Sequence, residues 1–169
     1  MGDNYAETII RKKMSTGTLF YRIFVVLFAV VISIGFYLFL QSLAAIIILF
    51  IGYVAYRIFR GTDLEYEYLY VNGQLDIECI YSKKKRKPAK SFNFDKLEVM
   101  APLKHQKVLA YDHRTDLRDF NFTSGYEGRN IYVAILVGQT GKLGRLYFEP
   151  SEEMVKAMYA HTPSKVFMA

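Results

Sequence analysis

The sequence predicts an α+β membrane protein: an N-terminal transmembrane helical hairpin, then an antiparallel β domain closed by a C-terminal helix. Three observations predict it. Ile23 to Tyr56 is a stretch of 34 residues without a charge. Asn72-Gly73 separates two runs of alternating apolar residues. Pro150-Ser151-Glu152-Glu153 opens a final stretch whose apolar residues recur at helical spacing.

As a single helix the uncharged stretch would run about 51 Å, against a hydrocarbon core of about 30 Å. Two helices fit if the chain reverses near Gln41-Ser42, the adjacent strongly polar pair inside it. The spans are then about 19–40 and 43–59, with Arg22 and Arg57 reaching back to the headgroups along their aliphatic stems. Tyr21, Tyr53 and Tyr56 lie near the charged ends, where interfacial aromatic residues belong. Arg11, Lys12, Lys13 and Arg22 precede the first span, Arg57 and Arg60 close the second, and the reversal carries no charge. The positive-inside rule therefore predicts a multi-pass protein of the cell membrane with both termini cytoplasmic, anchored at the interface by Arg22, Arg57 and Arg60. Ser42-Leu43-Ala44-Ala45 faintly resembles a signal-cleavage site, but the apolar run Ile46–Tyr56 beyond it argues against release. The organisation expected is a basic N-terminal segment at 1–18, the hairpin at 19–60 and a cytoplasmic domain at 61–169. Within the first, Tyr5–Lys13 reads either as a short interfacial helix or as a disordered lead-in.

In the domain, Leu64–Val71 and Gln74–Tyr81 flank the preferred dipeptide of a type I′ hairpin. A two-residue turn pairs Val71 with Gln74, which sets Tyr70 against Leu75, Tyr68 against Ile77, Tyr66 against Cys79 and Leu64 against Tyr81. All eight fall on one apolar face, and Glu65, Glu67, Asp76 and Glu78 gather on the other. Further strands are expected at Lys90–Phe94, Leu97–Ala101, Leu117–Thr123, Asn130–Val137 and Lys142–Phe148. Ile131–Val137 is apolar on both faces, as a central or helix-covered strand is. Residues 103–116 stay unassigned, Lys104–Leu109 fitting either a short helix or a strand. Ser151 is the expected N-cap of a helix at about 151–161 whose Met154, Val155, Met158 and Tyr159 fall on one face and which stops at Thr162-Pro163.

About seven short strands followed by one amphipathic helix is the order of a PH-like antiparallel barrel or sandwich. The chain also resembles a bacterial family of the Clostridia type. The residues that carry the resemblance are the hairpin Tyr66–Ile77, the basic segment Lys83–Lys87, and Phe94-Asp95 with Val99-Met100-Ala101-Pro102. Tyr147-Phe148-Glu149-Pro150 and Pro163-Ser164-Lys165-Val166-Phe167 extend it to nearly the full length. The resemblance implies two membrane helices followed by a cytoplasmic PH-like domain whose last helix plugs one open end of two orthogonal sheets. It implies no activity.

Charge narrows the partners. Residues 1–62 hold six basic and two acidic side chains, and residues 63–169 sixteen and fourteen, five of those sixteen lying in Lys83-Lys84-Lys85-Arg86-Lys87. A basic balance confined to the anchor and one loop suits an anionic bilayer and lacks the broad basic face of a nucleic-acid binder. That run, ending at Pro88, is the candidate contact for anionic lipid or a protein partner, and the bland alternative is a solvated loop paired with the hairpin acids. The lone Cys79 fits a buried residue in a reducing compartment. His105, His113 and His161 are isolated, so neither a metal nor another cofactor is expected. Asp112-His113-Arg114-Thr115-Asp116 reads as solvated charge. Gly138-Gln139-Thr140-Gly141-Lys142 is followed by Leu143, lacks the spacing of a phosphate-binding loop, and reads as a hairpin turn. The expectation is a non-enzymatic interaction module whose PH-like domain binds a protein segment or anionic lipid. The alternative is an accessory subunit of a membrane complex, recognised through its transmembrane hairpin.

Overall fold

The computed structural model describes residues 5–39, 43–138 and 141–168, and the backbone alone of Arg60 and Gly61. The reversal expected at Gln41-Ser42 and the centre of the turn at Gln139-Thr140 lie outside the described residues. Along the chain run β1 (Tyr5–Arg11), α1 (Thr16–Phe39), α2 (Ala44–Gly61), β2 (Leu64–Val71), β3 (Gln74–Tyr81) and β4 (Lys85–Asn93). A 3-10 turn (Phe94–Lys96) leads to β5 (Leu97–Pro102), α3 (Gln106–Leu109), β6 (Arg118–Asn121), β7 (Tyr132–Val137), β8 (Leu143–Phe148) and α4 (Glu152–His161). The chain divides into two compact units. One is helical, Lys13–Leu64 together with Tyr81–Lys85, and the other holds the rest of both sheets and α4.

In the helical unit, α1 is 24 residues long and apolar enough to cross a membrane, and α2 contributes the shorter apolar helix Ala44–Phe59. Side chains along both are exposed, Phe20, Leu38, Leu49 and Phe50 among them.

In the β unit the largest departure from expectation is at the start. Tyr5–Arg11 is neither an interfacial helix nor a lead-in but a strand, pairing antiparallel with β2 from Tyr5↔Val71 to Arg11↔Glu65. The domain therefore begins before α1, and both helices are an insertion between its first two strands. One sheet has the order β1-β2-β3-β4. Its Asn72-Gly73 turn has φ of 46° and 92°, the positive pair that a type I′ turn requires. Tyr66, Tyr68, Tyr70, Leu75 and Ile77 of the expected core face are buried, while Leu64, Cys79 and Tyr81 are half-buried.

The second sheet has the order β5-β7-β8-β6. It departs from an all-antiparallel plan, because β6 runs parallel to β8 from Arg118↔Gly144 to Asn121↔Tyr147. Among the described residues the strands form two four-stranded sheets and no closed barrel. Between the sheets Tyr68, Tyr70, Phe94 and Phe148 meet edge to face, and Met154 and Met158 of α4 are fully buried with them. The opposite face of the second sheet is covered as well. Val99, Ala101, Val133 and Ile135 pack under Val108 of α3, with Tyr111, Leu117 and Phe167 around them. That second layer explains why β7 is buried on both sides. Ser151 caps α4 as expected, its hydroxyl accepting from the Met154 N–H at 3.2 Å.

Candidate functional site

The foot of the helical unit is built by one arginine. Arg22, near the start of α1, donates to the Phe59 carbonyl at 3.0 Å and to the Thr62 hydroxyl, and pairs with Asp63 at 3.1 Å. Phe59 lies in the last turn of α2 and Thr62 caps it, so the guanidinium adds to the bonds that the Thr62 N–H and hydroxyl give the Phe59 carbonyl, and sits at the negative end of the helix dipole. Its side chain is 21% exposed. Arg22 is thus a staple between the two helices. Arg57 is exposed on α2, and the side chain of Arg60 lies outside the described residues.

The basic run meets this foot. The Ser82 N–H donates to the Asp63 carbonyl at 3.0 Å, and the Lys84 N–H to the Tyr81 carbonyl at 3.1 Å. Ser82 and Lys83 both take left-handed backbone conformations, with φ of 54° and 57°, so the chain turns sharply there. Lys83, Lys84 and Lys85 are exposed on the turn and belong to the same unit as the helices.

The five basic residues are not one loop, however. The run leaves the turn at Lys85 and continues as β4, an edge strand that carries Pro88 and further lysines. Charge and proline are what keep an edge from pairing with other chains. Arg86 pairs with Glu67 at 3.1 Å. Glu67 is 5% exposed, the one buried acid of the four on that hairpin face. Burial pushes its carboxyl above the ordinary carboxylate range, Arg86 pulls it back, and the neighbouring Glu7 and Glu78 raise it further. Glu65 is opposite Arg11 in register, and Asp76 accepts from Gln74 at 3.2 Å. Among the described residues no group of three or more His, Cys, Asp or Glu side chains could hold a metal ion.

The remaining candidates have local structural partners. His105 accepts from the Lys107 N–H at 3.2 Å and stacks on Phe167 with 5.2 Å between ring centres. His161 bonds Asp95 at 2.8 Å, which holds that carboxyl below its ordinary value. Arg114 pairs with Asp116 at 2.6 Å. Arg145 ties Asp112 and Asp119 together at 3.2 and 2.8 Å. Sequence reasoning missed one buried polar pair. The Glu149 carboxylate accepts from both the N–H and the hydroxyl of Ser124, at 2.7 and 2.8 Å, and pins the loop after β6. A carboxylate between Phe148 and Pro150, directly after the apolar end Leu146-Tyr147-Phe148 of a strand, was the available signal.

No curated protein and no solved structure matches the chain. A family model described as a bacterial PH-like domain, DUF6106, matches residues 2–168. The match takes in β1, both helices and all that follows, which agrees with a fold in which the helices interrupt the domain. The chain belongs to this family of bacterial PH-like domains.

Proposed function

We propose that the chain is a membrane-anchored, non-enzymatic interaction module. In this reading α1 and α2 cross the bilayer as a hairpin, the PH-like domain is cytoplasmic, and Lys83–Lys85 meet anionic headgroups while the domain binds a protein segment. The pairing of β1 with β2 supports the hairpin. Arg11 and Glu65 are opposite one another in one sheet, so the chain must return to the side from which it left. If α1 crosses, α2 crosses back. Ala44–Phe59 spans about 24 Å at 1.5 Å per residue, short of a 30 Å core by an amount that local thinning and the reach of Arg57 make up.

The observation that carries the lipid contact is the Ser82–Asp63 hydrogen bond, which ties the basic turn to the end of α2. A lysine held where a helix leaves an anionic leaflet contributes on the order of 1 kcal/mol. The test is lysine acylation of the full chain in nanodiscs, read by mass spectrometry. Lys83, Lys84 and Lys85 should be protected in discs that contain phosphatidylglycerol and reactive in purely zwitterionic ones. Equal labelling in both refutes the contact.

One observation favours the alternative, in which the hairpin itself is recognised by a membrane complex. Val26, Ala29, Ser33, Ile51, Gly52 and Ala55 line an apolar groove of about 490 Å³ between the helices, and small residues allow a third helix to approach closely. Replacing residues 13–63 with an unrelated two-helix anchor separates the readings. Partners retained favour the domain, and partners lost favour the hairpin.

A further inference from the structure

We infer that the outer edge of β5 is a docking site for an extended segment of a partner protein, and that the chain's own residues Lys165–Phe167 occupy it as a resident competitor. This deepens the reading of the domain as an interaction module by naming where the protein segment binds and what chemistry it carries. β5 is the outermost strand of its sheet. On its open side the Met100 N–H donates to the Lys165 carbonyl and the Phe167 N–H to the Met100 carbonyl, both at 2.8 Å, giving one rung of parallel pairing between Met100 and Val166. The two side chains flanking that rung go to opposite faces of the sheet, as they do in any strand. Val166 is 2% exposed beside the fully buried Met100. Phe167 joins the layer of Val99, Ala101 and Val108, stacked on His105 with the Lys107 ammonium 5.8 Å from its ring centre. Main-chain bonds for affinity and alternating side-chain pockets for specificity define recognition by strand addition.

The tail holds this edge by little backbone. Beyond Met100 the edge strand is irregular on one side, its register shifting between Leu97 and Val99, and on the other Pro102 has no N–H to offer. At the other end Lys165 and Val166 donate back to the Thr162 carbonyl, at 3.1 and 3.2 Å, so the tail turns away instead of running on past Glu98. An open cleft of about 440 Å³ adjoins that end, lined by Lys96, Glu98, Val137, Gly138 and Lys165. A partner segment that stays extended runs on into the cleft beside Glu98 and fills it. It needs a β-branched aliphatic residue in the Val166 position and an aromatic one in the Phe167 position. It must also compete with a tethered tail whose effective concentration is on the order of mM.

The test measures fluorescence anisotropy of a labelled peptide with the sequence of Thr162–Met168, against the full chain in nanodiscs. Three chains are compared: the unaltered one, one carrying Val166→Asp and Phe167→Ala, and one ending at Thr162. Both altered chains should unfold cooperatively and bind the peptide at least tenfold more tightly than the unaltered chain. The same peptide carrying Asp and Ala at the two positions should not bind. Adding Met100→Pro, which removes the donor of the rung, should abolish binding to either altered chain. Folded altered chains that ignore the peptide overturn the inference, as does equal binding to all three. Loss of cooperative unfolding in both altered chains, even with excess peptide, overturns it by making the tail a fixed part of the core. A stable dimer that exchanges tails overturns it in favour of a second copy as occupant. Lysine labelling in the same discs keeps the two readings apart, since the lipid contact and the peptide site can each fail alone.

Discussion

Tyr68 and Tyr70 give the sharpest test of the packing, because two fully buried tyrosines on one strand make opposite use of their hydroxyls. Both are 0% exposed. The Tyr68 hydroxyl donates to the Phe122 carbonyl at 2.7 Å, whereas among the described residues the Tyr70 hydroxyl meets no partner in hydrogen-bond geometry and has the Gly73 backbone near it. Replacing Tyr68 by Phe deletes a bond and strands a carbonyl, which costs about 1–2 kcal/mol. Replacing Tyr70 by Phe deletes only an uncompensated polar group, so stability should stay the same or rise by up to about 1 kcal/mol. Urea unfolding of the full chain in micelles, followed by tyrosine circular dichroism, reads both. The titrations follow from the same geometry. Burial pushes the Tyr70 phenol up to about 12, and pushes that of Tyr68 up as well. The unfolded phenol ionises near 10. The folded state therefore binds more protons above that pH, and the stability present in full below pH 10 is lost as the pH rises through 12. Tyr70→Phe should make that alkaline loss shallower. A destabilisation of more than about 1 kcal/mol by Tyr70→Phe at neutral pH would show a hydrogen bond at that hydroxyl and refute the reasoning.

Three further substitutions probe other joints. Gly73 has φ +92°, and a Cβ there would lie 2.5 Å from Nε2 of His161. Gly73→Ala should cost about 2 kcal/mol or more, and roughly 1–2 kcal/mol in a His161→Ala background, where only the backbone strain is left. Arg22→Ala should lower the thermal stability of the helical unit by about 2 kcal/mol, read by far-UV circular dichroism in micelles, and Lys should not rescue it because it lacks the fork that reaches Phe59, Thr62 and Asp63 together. Glu149→Ala leaves the buried donors of Ser124 without their acceptor and should cost about 2–3 kcal/mol, with faster hydrogen exchange at the Ser124 amide, whereas Gln keeps an acceptor and should cost less.

What could be read in the sequence was local. The β2–β3 hairpin is declared by its turn dipeptide and by two runs that agree in register. The double burial of β7 is declared by an apolar run without alternation, although residues 103–116, which supply its outer cover through Val108 and Tyr111, carry no periodicity of their own. What could not be read was pairing at a distance. The alternation of Tyr5–Arg11 is broken by Ile9-Ile10, and its partner strand begins only after two helices have intervened. The parallel seat of β6 beside β8 is likewise set by tertiary contact, where Phe120 packs edge to face on Phe92 under the cations of Lys90 and Arg118. Composition misled at Lys85–Lys87. A basic run ending in proline looks like a loop, yet the same residues suit an edge strand that must stay unpaired.

The insertion of the helices changes what counts as the domain. β1 contributes seven paired residues to its sheet. It is held at its sides as well, Lys12 donating to the Tyr66 hydroxyl at 2.8 Å and Thr8 to the hydroxyl of Ser151 at 3.0 Å, where α4 begins. A chain cut at the end of α2 loses that strand and bares the edge of β2, an eight-residue strand rich in tyrosine and of the kind that templates aggregation. Residues 61–169 alone should therefore associate, whereas residues 1–12 joined to 64–169 through a short glycine-serine linker should be monomeric, with light scattering as the measurement. A monomeric, cooperatively folding 61–169 fragment would refute the account. In the intact chain the requirement runs the other way. The first strand is made before the helices and cannot pair until both have followed it, so closing the sheet depends on the hairpin bringing the chain back to the side of β1.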